Sequence, residues 1–155
     1  MTYVSSVPAA IAALVAAFRT WPGLGLAGVP VRDGPELSQA SGLEAVAVGY
    51  TGDEGEDVVT GAASPEGAAV LPDRERYAVT CAIEVIDPGA GVAAARARAY
   101  AIHAECGAAI AADHTLGRAV LRASLGIGSL QQQQTETGAR ARLVFPVNID
   151  AFTGR

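Results

Sequence analysis

A chain of 155 residues, half of them hydrophobic and 17% charged, has the length of a single domain and a globular rather than a disordered composition. At this size a domain buries about 70% of the surface its unfolded chain exposes, so neither disulfides nor a metal is needed to hold it together. Aromatics at 5% predict a thin core of small aliphatic side chains, and a net charge of −5 without a basic, aromatic-studded surface excludes a typical nucleic-acid reader.

The chain opens with Ser5-Ser6-Val7-Pro8 and then AAIAALVAAFRTW. A serine cap, a proline in the first turn and Ile11, Leu14, Val15 and Phe18 at helical spacing predict a helix ended by Pro22-Gly23. The run falls short of the ~18–20 apolar residues of a membrane span. Its first positive charge, Arg19, follows it, the reverse of a signal peptide, which predicts a protein made and kept in a cytoplasm without membrane contact. Short strands are expected at Val29–Arg32, stopped by Asp33-Gly34-Pro35, and at Leu43–Tyr50. The next stretch, 51 to 73, is rich in glycine and acids and has no sustained period; it reads as a long mobile loop that leaves the sheet.

Order resumes at ERYAVTCAIEVIDPG, a strand with Tyr77, Val79, Cys81, Ile83 and Val85 on one face and Thr80 and Glu84 on the other. GVAAARARAYAIHAECGAAIAAD is helical, with Val92, Ala95, Ala99, Ile102, Cys106 and Ala109 along one side. Cys81 and Cys106 therefore both fall on apolar faces, form no CxxC or Cys/His set, and read as free core thiols. Two alternating segments close the chain. RAVLRASLGIGSL places Leu121, Ala123, Leu125 and Ile127 on one face. ARARLVFPVNIDAF places Ala139, Ala141, Leu143, Phe145, Val147 and Ile149 opposite Arg140, Arg142, Asn148 and Asp150. With QQQQTETG as a polar turn between them they form a long hairpin over Arg118–Phe152, and Pro146 argues for an edge position or a bulge in the last strand. The fold class predicted is α+β: a mostly antiparallel sheet covered on one side by two helices, with a long acidic loop and a long C-terminal hairpin, all in one domain spanning 1–155.

The stretch DHTLGR at 113–118, with His103, Glu105 and Cys106 upstream, is the first place to look for chemistry. A helix end explains it without catalysis: His114 suits the negative end of the dipole, Leu116 turns back to the core, and Gly117 fits a left-handed position. His103 and His114 lie about 16 Å apart along one helix and cannot share a metal. Neither GxSxG, a P-loop, HExxH nor a calcium-loop spacing is present. No catalytic, cofactor-binding or metal residues are assigned.

Charge is divided along the chain. From Asp33 to Glu75 ten acids stand against Arg74 alone, and from Gly91 to Arg142 six arginines outnumber Glu105, Asp113 and Glu136. An acidic and a basic surface suit head-to-tail contacts between copies. The interface candidates are Asp53, Glu54, Glu56 and Asp57 on the acidic side and Arg122, Gln132, Gln133, Arg140 and Arg142 on the hairpin.

Taken in order, WPGL, VPVRDGP, AVAVGY before an acidic loop, the strand ending IDPG, the Ala/Arg-rich helix, the D-x-T-L-G-R turn and a final hairpin closing with FPV resemble the tail terminator (tail completion) proteins of long-tailed bacteriophages of the siphovirus type. The resemblance covers nearly the whole chain and rests on order and spacing. It implies an α/β fold, no catalytic residues, no cofactor, and a homohexameric ring in the virion, assembled in the host cytoplasm. Such a ring caps the finished tail tube at its head-proximal end, contacts the major tail tube protein and a head-completion or connector protein, and lets DNA pass its lumen without specific binding. The alternatives are another head-tail connector or minor tail protein, and a small binding or catalytic domain.

Overall fold

The computed structural model describes residues 4–35, 43–64, 73–89, 91–136 and 138–153. Helix α1 spans Val7–Arg19 and helix α2 Val92–Ala112. The strands are β1 (Val31–Asp33), β2 (Glu44–Val48), β3 (Val59–Ser64), β4 (Arg74–Asp87), β5 (Arg122–Leu125), β6 (Ser129–Thr135) and β7 (Gly138–Phe152). They form one sheet around a central antiparallel pair, β4 and β7, in register from Arg74↔Phe152 to Asp87↔Ala139. On the outer side of β4, β2 pairs with Cys81–Val85 and β3 with Arg74–Val79. On the outer side of β7, β5 pairs with Val147–Asp150 and β6 with Gly138–Val144. β1 runs parallel to β2, so the sheet is mixed but mostly antiparallel.

Alternation explains the two layers. The odd residues of β4 and β7, from Tyr77 to Val85 and from Ala139 to Ala151, are buried under the helices. Their even residues form a mixed face, charged at Arg74, Arg76, Glu84, Arg140, Arg142 and Asp150 and apolar at Ala78, Ala82, Val144 and Pro146, that neither helix covers. α2 buries Ala95, Ala99, Ile102, Cys106, Ala109 and Ile110, the predicted stripe with Ile110 added and Val92 only partly buried. Its many alanines let it lie close over β4, β7 and β5, while α1 lies over β1 and β2. Arg19 fixes the end of α1 by donating from Nε and Nη2 to the carbonyl of Val31, at 3.1 and 3.0 Å.

The start of α1 is held by an unexpected group. Ser6 is the N-cap but makes no side-chain cap of its own. Instead the carboxylate of Glu75 on β4 accepts from the Ser6 amide at 3.0 Å and its hydroxyl at 2.5 Å, and the Ser6 hydroxyl also meets the phenol of Tyr77 at 2.9 Å. Glu75 is only 3% exposed. A carboxylate at the positive end of a helix, with charge-assisted bonds, is the favourable way to bury such a group.

Three expectations are corrected. The stretch 51–73 is not one long loop: its residues 59–64 form β3, and 65–72 lie outside the described residues. The glutamines are not a turn: Gln131–Gln134 belong to β6, and the chain reverses after Thr135, which pairs with Gly138. Pro146 is not at an edge: β7 is central, with partners on both sides. The proline instead breaks its neighbour. Gly126 donates to the Pro146 carbonyl at 2.8 Å, so the donor side of Pro146 faces the same way, toward residues 126–128, and has no N–H to offer. The expected single strand therefore splits into β5 and β6, leaving Ile127 82% exposed instead of inward; Leu121, which precedes β5, is half-exposed as well.

Candidate interaction surface

The DHTLGR segment is a structural turn. α2 ends at Ala112, and Asp113 is extended with φ −150°. Its carboxylate accepts from the Thr115 amide at 3.0 Å, the Thr115 hydroxyl at 2.6 Å and the Gly117 amide at 2.7 Å. The hydroxyl bond first, then the two amide bonds, hold Asp113 below the usual carboxylate range. Leu116 is buried as expected. Gly117 is left-handed, but it lies beyond the helix end together with Leu116 and Arg118, all three at positive φ.

The other chemistry-bearing residues also have structural partners. His103 Nε2 lies 3.1 Å from the Gly126 carbonyl, and its ring stands edge-on to Phe145 with centroids 4.9 Å apart, tying α2 to the break between β5 and β6. Glu105 accepts from Trp21 Nε1 at 2.8 Å, linking α2 to the segment after α1. Cys81 and Cys106 are both free and buried; burial pushes the Cys81 thiol up to about 12 and raises Cys106 further. Among the described residues no group of three or more His, Cys, Asp or Glu could hold a metal, and no helix is long and apolar enough to cross a membrane.

The uncovered sheet face carries the charge, in two clusters. At one end Asp150 stands in register between Arg76 on β4 and Arg122 on β5. It takes a two-pronged contact from Arg74, at 2.8 and 2.6 Å, which holds the carboxyl down, and Arg76 lies 3.8 Å away. Arg122 is exposed. Arg74, Arg76 and Arg122 thus gather around the one carboxylate of Asp150. This end borders a groove of about 420 Å³ that also includes Thr60, Ala78 and Asn148.

At the other end the acidic turn crosses the sheet. Gly52 packs on the guanidinium of Arg142, and a Cβ there would lie 2.7 Å from it. Arg142 reaches Asp53 at 3.5 Å and Glu84 at 3.8 Å, with only 17% of its side chain exposed. Arg140 pairs with Glu84 as well. Glu54, Glu56 and Asp57 are exposed. Arg142 and Asp53, assigned by sequence to opposite sides of a contact between copies, thus meet within one chain. Gln133 faces the same side as Arg140, while Gln132 turns to the helices and accepts from Arg96 at 2.7 Å.

The sequence reading missed Arg74, Arg76 and Asp150 as a unit, because their closeness depends on the β4–β7 register. It also missed the role of Glu75, whose only local signal is an acid at an inward position of an alternating strand. No family model matches this chain, and no curated protein matches it by sequence.

Proposed function

We propose that this chain is a structural ring subunit that closes a tubular assembly, a tail terminator of the siphovirus type, with no catalytic role. The observation that carries the reading is the division of the sheet: both helices on one face, and a charged opposite face that neither helix covers, flanked by exposed outer strands. Such a subunit has one finished side and several unfinished ones, as a heterologous ring requires. The order of elements that resembles the terminator family supports the same reading, and the structural partners of His103, Glu105 and Asp113 account for those residues without chemistry. In this reading six copies form the ring, the tube protein and a head-completion protein bind its two sides, and the exposed carboxylates of Glu54, Glu56 and Asp57 supply negative charge for a lumen that repels DNA phosphates.

The test is capping. The purified chain added to polymerising tail tube protein should stop elongation and appear as a ring at one tube end by electron microscopy. Tubes that grow unchanged in its presence would overturn the reading.

A further inference from the structure

We infer that copies of this chain join through their sheet edges, the outer edge of β6 in one copy pairing antiparallel with the outer edge of β3 in the next. This deepens the ring reading, on which it rests, by naming the surfaces that close the ring.

The first observation is that, among the described residues, both edges lack the usual protection. Exposed edge strands are normally guarded by charges, proline or bulges, because their free N–H and C=O groups are a template for another strand. β3 reads VTGAAS and β6 reads SLQQQQT, with neither a charge nor a proline. Thr60–Ser64 are all exposed, as are Gln131–Thr135. Both strands keep an unbroken register with their inner neighbours, so neither edge is twisted away by a bulge. Gly61 lets β3 lie close against β4: a Cβ there would lie 2.4 Å from the Tyr77 Cβ.

Direction is the second observation. β3 is antiparallel to β4, β4 to β7, and β6 to β7. β3 therefore runs with β7, and β6 runs the opposite way. A head-to-tail arrangement in which the copies are staggered along the strands, so that β6 of one lies beside β3 of the next, makes that contact an antiparallel pair, the more stable ladder. The two edges lie on opposite sides of the molecule and at opposite ends of the central strands, so the contact is heterologous. Ile127, the most exposed of the large hydrophobic residues described, sits where β6 begins and gives the same edge an apolar anchor.

The ladder also defines the test. The Pro146 carbonyl faces β5 and β6, so the even residues of β7 hydrogen-bond outward, and their partners Gln131 and Gln133 point their amides inward. The amides of Gln132 and Gln134 must then point to the free edge. Thr80 accepts from Gly49 and donates to Val58, so the even residues of β4 bond to β3, and by the same alternation the amides of Gly61 and Ala63 point outward. Gln132→Pro should block one edge and Ala63→Pro the other, each without removing a ladder bond inside the chain.

By sedimentation the wild type should assemble and each proline variant alone should be monomeric. The two variants mixed should form one-to-one dimers and nothing larger, because the free β6 of Ala63→Pro meets the free β3 of Gln132→Pro. If a proline variant melts early, Ala63→Lys and Gln132→Lys keep every backbone donor and should behave alike. Dimers of Ala63→Pro alone would mean β6 pairs with itself, and variants that assemble like wild type would remove the edges from the contact; either result overturns the inference. Copies that join through these edges yet leave tail tubes uncapped would retain the inference and remove the terminator reading.

Discussion

Thr80 and Pro146 stand opposite each other at the middle of the two central strands, and on both sides of this pair the outer layer of the sheet is interrupted. Beside Thr80 the acidic turn enters between β2 and β3; beside Pro146 residues 126–128 separate β5 from β6. The second break depends on Gly128, at φ +73°, where a Cβ would lie 2.0 Å from the Val144 carbonyl oxygen. Gly55 is a useful contrast, at φ +82° with open space around it. Gly55→Ala should cost about 1–2 kcal/mol, the backbone penalty alone. Gly128→Ala should cost clearly more in urea melts, and equal costs would show that the loop at 126–128 yields.

Glu75 makes a stability prediction for the opposite face. Glu75→Ala leaves the buried Ser6 amide and hydroxyl without their carboxylate, which should cost about 2–3 kcal/mol. Glu75→Gln keeps an acceptor oxygen in the same place and should recover much of that. A silent Glu75→Ala would mean that α1 is held by its apolar face alone.

These cases show what was readable in the sequence and why. The helices and the inward residues of β4 and β7 announce themselves by period, since alternation and the 3.6-residue repeat are local properties. β3 was hidden because Thr60–Ser64 has no inward apolar pattern; it is a strand because β4 offers it a partner. Of the edge and the bulge expected at Pro146 only the edge fails, because proline marks a missing donor without saying which neighbour loses it; the irregularity lies in the neighbour, where residues 126–128 stand against 145–146. At the candidate surface the charge division was legible, but pairing was not. Arg142 meets Asp53 and Glu84, and Asp150 meets Arg74, through registers that no local spacing encodes.

The two cysteines should be unreactive in the native protein. Burial raises both thiols, Cys81 to about 12, so almost no thiolate exists at neutral pH. A thiol reagent should label neither without denaturant and both with it. Fast labelling of the native chain would contradict the packing of α2 on β4.

Acid should weaken the fold. Arg98 holds the Glu44 carboxyl below its ordinary 4.5, and Arg74 holds Asp150 below its ordinary 3.8. Folded values below unfolded ones give stability that is fully present above the ordinary values and is lost as pH falls through the folded ones. Melting temperature should thus be flat above pH 4.5 as far as these groups contribute, and fall below it, with the Asp150 share continuing below 3.8. Asp150→Asn should flatten the lower part of that slope. An unchanged slope in this variant would leave the Arg74 contact without weight in the fold.

The arginines of the uncovered face should separate by role. Arg142 is largely enclosed by Gly52, Asp53 and Glu84, so Arg142→Glu puts a third negative charge where two already stand. The monomer should lose about 1–3 kcal/mol, the scale of a poorly solvated charge deprived of partners. Amides near 50–57 should exchange faster, since the turn loses its anchor. Arg122 is exposed at the start of β5, and an exposed charge contributes about 0–1 kcal/mol. Arg122→Glu, which sets a carboxylate opposite Asp150 at an exposed position, should therefore shift the melt only slightly. If both variants lower assembly in sedimentation, only the Arg122 effect reports a contact between copies, because the Arg142 effect follows from a displaced turn. A stable Arg142→Glu monomer with unaltered exchange at 50–57 would return Arg142 to the list of residues free to meet a neighbour.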